Sequence, residues 1–108
     1  MSTAILQGFL ESVRACANAY VKAIAERGGA EASAALRSLC ELCLEINQQK
    51  RELSDDELIL AIEGLSAIQR EFNDYQAIAQ GLGTHIHFLR QHQEFLGRER
   101  KRLAMAPS

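Results

Sequence analysis

A chain of 108 residues is sized for one domain, and a domain of that length buries roughly two-thirds of the surface its unfolded chain exposes. Hydrophobic residues at 47%, charged residues at 24%, a lone proline at Pro107 and β-formers scattered rather than alternating exclude intrinsic disorder and an all-β fold. The net charge of -2 hides an asymmetry: residues 1–80 carry 7 Lys and Arg against 12 Asp and Glu, whereas residues 81–108 carry 5 against 2, so an acidic body precedes a basic tail.

The first predicted helix covers about residues 4–27. Ile5, Phe9, Val13, Cys16, Tyr20 and Ile24 recur at spacings of three and four, which places them on one helical face. Ser2 or Thr3 can cap its start, and Gly28-Gly29 is expected to end it. The second helix, about 30–53, turns Ala32, Leu36, Leu39, Cys43, Ile46 and Leu53 inward, widened by Ala35 and Leu42. Its solvated face carries Glu31, Arg37, Glu41, Glu45 and Gln48.

Ser54-Asp55-Asp56-Glu57 has the form of a capping box and opens a third helix, about 55–80, with Leu58, Ala61, Leu65, Ile68, Phe72, Tyr75 and Ala79 on one face. Gly81-Leu82-Gly83-Thr84 then divides the reading in two. In the first architecture the glycines break the chain and Thr84 caps a fourth helix, about 84–104, giving an all-α, up-down bundle of four antiparallel helices in a single domain spanning 1–108. In the alternative, the seam runs on through Leu82, Ile86, Leu89, Gln93, Leu96, Arg100 and Leu103, so that two shorter helices accompany one long rod of roughly 70 Å that pairs as a coiled-coil dimer. Two interior glycines oppose that continuity by about 2 kcal/mol. Ala104 to Ser108 are expected to fray.

The motifs that would carry chemistry are mostly missing. No H-E-x-x-H, G-x-S-x-G or phosphate-cradling loop occurs, and Gly81-Leu82-Gly83 has neither a preceding strand nor a third glycine. Leu82, Thr84 and Leu89 stand three residues before His85, His87 and His92, where a di-iron bundle would need glutamates. Leu44 after Cys43 closes covalent haem attachment. His85 and His87 lie about 200° apart on a helix, so the three histidines could converge only across an interface. The chain is therefore read as noncatalytic, with no cofactor.

Cys40-Glu41-Leu42-Cys43 places two thiols within one helical turn, a spacing that can share a zinc ion or exchange redox equivalents. Cys40 and Cys43 also stand where a core-facing helix puts small apolar side chains, which is the preferred reading. They remain secondary candidates for a metal- or thiol-responsive regulator, with Cys16 as a third thiol. Three cysteines fit a reducing compartment better than a disulfide scaffold, and no secretory signal or membrane span is visible, so a soluble cytoplasmic protein is expected.

The remaining signal is the C-terminal helix. Its apolar seam, with Ile86, Leu89, Phe95 and Leu96, and its basic cluster, with Arg98, Arg100, Lys101 and Arg102, are the candidate partner-binding residues. The leading expectation is a noncatalytic protein-protein interaction module, an adaptor, chaperone-like protein or regulator, that meets a protein partner or a second copy of itself as a dimer. Nucleic-acid binding through the basic helix is the further alternative, and net acidity and the lack of tryptophan weigh against it.

Overall fold

A computed structural model describes residues 1–105. Among them the chain forms α1 (Thr3–Ala25), α2 (Gly29–Gln48), a 3-10 turn (Lys50–Glu52), α3 (Asp55–Glu71) and α4 (Gln76–Met105). The four α-helices pack against one another as a bundle with up-down chain order.

Local chemistry fixes two of the helix starts. The Ser2 hydroxyl accepts from the Ile5 N–H at 3.2 Å, and the Ser54 hydroxyl accepts from the Glu57 N–H at 3.2 Å while the Glu57 carboxylate accepts from the Ser54 N–H at 2.8 Å. The latter is the complete reciprocal capping box. The end of α1 is a Schellman turn, in which Gly28 N–H donates to Ala23 C=O at 2.8 Å and Arg27 N–H to Ile24 C=O at 3.2 Å. The left-handed position of that turn is held by Arg27, with φ 59°, and not by either glycine of the pair that follows it.

Consecutive helices form two antiparallel hairpins, α1 with α2 and α3 with α4. In the second, Arg100 bonds Asp55, Arg90 bonds Ser66 and Ala79 receives Gln69, so sequence numbers fall along one helix as they rise along the other. The hairpins stack with α1 beside α3 and α2 beside α4, and those neighbours run parallel. Leu10 covers Gly64 and Arg14 Nε meets Glu71 at 3.1 Å. Cys40 lies against Gly81, Asn47 reaches His85, and the Lys50 ammonium stands 6.0 Å from the Phe88 ring centre. Leu6, Val13, Leu39, Cys43, Ile46, Leu58, Leu65, Ile68, Ile78, Leu82 and Leu89 are the fully buried centre. Each large aliphatic among them contributes about 1.5–3 kcal/mol through burial.

The break between α3 and α4 lies at Phe72–Tyr75, not at Gly81–Gly83. α3 ends at Glu71 rather than near 80, and α4 starts at Gln76 and runs through both glycines without interruption. Thr84, expected as a cap, is inside the helix, where its hydroxyl donates back to Gln80 C=O at 3.1 Å. The single rod over α3 and α4 does not form either. Close approach accounts for one of these glycines: a Cβ on Gly83 would stand 3.0 Å from Gln69 Nε2, whereas one on Gly81 would meet Cys40 Sγ at an ordinary 3.5 Å.

Two smaller expectations are also corrected. The buried face of α1 is centred on Leu6, Val13 and Ala17, so Ile5 and Ile24 are exposed. α2 stops at Gln48 rather than near 53, because a 3-10 turn carries the chain toward Leu53, which is itself buried. Ala104 and Met105, expected to fray, are helical, and the other residues of that expectation, 106–108, lie outside the described range. Among the described residues no helix is long and apolar enough to cross a membrane.

Candidate partner-binding groove

α2 ends well before α4 does, and the chain then turns away through Lys50–Glu52. The far half of α4 therefore keeps α3 as a neighbour and loses α2. On the side so uncovered lies a groove of about 650 Å³, lined by Lys50, Arg51, Phe88, Gln91, His92, Phe95 and Leu96.

Phe88 and Phe95 keep 45% and 49% of their surface exposed, and of the large hydrophobics left exposed they are the two that line this groove. Seven residues separate them, so they stand on one face of α4 about 10.5 Å apart. His92 fills the turn between, its ring stacked on Phe95 with centroids 6.5 Å apart and planes 22° from parallel. The Lys50 ammonium covers Phe88 from the other wall. His92 Nε2 is buried without a hydrogen-bond partner among the described residues. Burial, then the Lys50 and Arg51 cations, hold the His92 pKa below its usual value, with the Lys50 backbone opposing in part.

A part-buried polar contact closes the inner end of the α2–α4 seam. Asn47 Nδ2 donates to the His85 carbonyl at 3.3 Å and to Cys43 C=O at 3.4 Å, and faces His85 Nδ1 at 3.2 Å. Burial pushes the His85 pKa down, and where Asn47 Nδ2 donates to the ring, Nδ1 is the acceptor. His87 is exposed beside Phe88. The three histidines thus take three separate roles and do not converge.

The predicted contact residues divide. Ile86 and Leu89 are 2% and 0% exposed and belong to the protein's own core, packed inside the bundle. They cannot contact a partner without unfolding, and this corrects their assignment: three-four periodicity reports burial but not by which chain. Phe95 and Leu96 line the groove. Arg100 is paired with Asp55 at 2.6 Å and Arg102 with Glu99 at 2.8 Å, whereas Arg98 and Lys101 make no ion pair among the described residues. Half of the basic cluster is thus neutralised within the chain. Sequence reading missed Lys50, Arg51, Phe88 and Gln91, and it singled out His92 only as one of three histidines that could act across an interface. Phe88 was accessible in principle, as the residue two turns before Phe95, but nothing local announces that the Lys50–Glu52 turn would form the opposite wall.

Cys43 is fully buried and its thiol is pushed up to about 12, by burial first and then by Cys40 and Cys16. Burial also raises Cys16 and Cys40. Such thiols are poorly ionised and poorly nucleophilic at neutral pH. Cys40 packs on Gly81. Among the described residues no group of three or more His, Cys, Asp or Glu side chains is arranged to hold a metal ion.

No protein-family model matches this chain, and no curated protein or solved structure is significantly similar to it.

Proposed function

We propose that this protein is a noncatalytic binding module that docks a protein segment in the groove between the far half of α4 and the Lys50–Glu52 turn. The observation that carries the reading is the pair of half-exposed phenylalanines, Phe88 and Phe95, on a helix face that α2 leaves uncovered. Aromatic side chains set in a concavity are the residues that supply most of the energy in protein interfaces. An adaptor, a chaperone-like protein and a regulator would all use such a surface.

Panning a displayed library of random helix-forming peptides against the immobilised protein tests this, with the Phe88→Asp/Phe95→Asp variant as the counter-target. The expected result is a set of binders that the variant does not retain. Binders held equally by both proteins, or an unenriched library, would sink the proposal.

A further inference from the structure

Resting on that reading, we infer that the occupant of the groove is an amphipathic helix of a different protein, carrying carboxylates beside its apolar face.

The shape points to a helix. Phe88 and Phe95 are two turns apart with His92 between them, so a second helix laid along α4 presents side chains at i, i+3 or i+4, and i+7 in register with the three rings. Strand addition is not open to this surface, since the described residues contain no strand whose edge could be extended.

The charge points to carboxylates. The groove lining contains two cations, Lys50 and Arg51, and no acidic side chain. Neither cation makes an ion pair among the described residues, and Arg98 and Lys101 farther along α4 are likewise unpaired. The nearby acids Asp55 and Glu99 are already engaged by Arg100 and Arg102. Glu52 and Glu94 lie on the same two segments but do not line the groove.

The same charges argue against a second copy of this chain. A self-complementary interface would set Lys50 and Arg51 against the cationic lining of the other copy, with no carboxylate in either groove to answer them. Base stacking is disfavoured for a different reason. Lys50 occupies a face of Phe88 and His92 a face of Phe95, so the rings are not open platforms.

Three synthetic helical peptides with one apolar face, flanked by Glu, Gln or Lys, test the inference by fluorescence anisotropy against the full chain. The Glu peptide is expected to bind about tenfold more tightly than the Gln peptide, as two rim ion pairs would allow, and the Lys peptide more weakly still. The advantage should shrink with added salt and vanish in Lys50→Gln/Arg51→Gln, while Phe88→Asp/Phe95→Asp loses all three peptides. Equal affinity for the Glu and Gln peptides, with both lost in the phenylalanine variant, would overturn the acidic-partner inference and leave the docking reading standing. Absence of all binding, or binding indifferent to the phenylalanine variant, would overturn the docking reading as well. A free protein that sediments as a dimer and is dispersed by Phe88→Asp/Phe95→Asp would make a second copy the occupant. A single-stranded oligonucleotide that outcompetes the Glu peptide would replace it with nucleic acid. Circular dichroism of each variant verifies that these half-exposed positions tolerate the change.

Discussion

Gln69 reaches from α3 to donate its side-chain amide to the Ala79 carbonyl of α4 at 2.8 Å, and in doing so it lies across Gly83. Gly81 and Gly83 are thus not equivalent. A methyl group on Gly81 meets Cys40 Sγ at an ordinary contact distance of 3.5 Å, whereas one on Gly83 crowds the Gln69 amide at 3.0 Å. Gly81→Ala should raise stability by about 0.5–1 kcal/mol through helix propensity. Gly83→Ala should gain less, and the difference should disappear in a Gln69→Ala background. Urea midpoints of the four variants check this, and a destabilising Gly81→Ala would show that α2 and α4 are closer than described.

Arg27 adopts the left-handed conformation at the end of α1, with φ 59°, a geometry that costs a side-chain-bearing residue about 1–2 kcal/mol. Glycine there would remove that cost and give part of it back as unfolded-chain entropy. Arg27→Gly should therefore raise stability by about 0.5–1 kcal/mol. No gain in thermal or urea unfolding would mean that Arg27 makes a compensating interaction through its side chain.

The Ser54–Glu57 box ties helix initiation to pH. The Ser54 backbone N–H, then the Ser54 side chain, hold the Glu57 carboxyl below its ordinary 4.5. A depressed folded-state pKa means that the contribution is complete above 4.5 and is lost as pH falls through the lowered value. Glu57→Gln should remove that part of the acid destabilisation, and Ser54→Ala should cost about 1 kcal/mol at neutral pH. Urea unfolding at pH 7 and at pH 3 separates the two, and identical pH dependence in wild type and Glu57→Gln would contradict the box.

Leu89 and Phe95 lie on the same helix, one buried and one half-exposed. Leu89→Ala should cost about 2–5 kcal/mol, as a fully enclosed leucine does when a cavity replaces it. Phe95→Asp should cost about 1 kcal/mol, roughly half of what a fully buried side chain contributes. Comparable losses at the two sites would mean that Phe95 is covered in the free protein.

Native thiol labelling distinguishes packing from sensing. Cys43, fully buried and with its thiol pushed up to about 12, should react only as fast as the protein unfolds. Cys16 and Cys40, each partly buried and with raised pKa, should label more slowly than a free thiol but ahead of Cys43. Prompt modification of Cys43 at neutral pH would revive the redox reading.

By itself the sequence determined that the chain is helical, where two helices start, and which residues of α2 and α3 face inward. Those features rest on contacts within a few residues: Ser2 with Ile5, Ser54 with Glu57, and apolar side chains three and four apart. The tertiary structure decided where α3 ends. Gly81 and Gly83 weaken a helix locally, yet both lie inside one, and close packing accounts only for Gly83, whose space the Gln69 amide uses. The chain reverses instead at Phe72–Tyr75, where Phe72 is buried and Tyr75 meets the edge of Tyr20 across the hairpins at 6.3 Å. The tertiary structure also separated Leu89 from Phe95. A helical seam shows that burial is favourable, but only the stagger of α2 against α4 determines how much of it the chain covers for itself and how much is left for a partner.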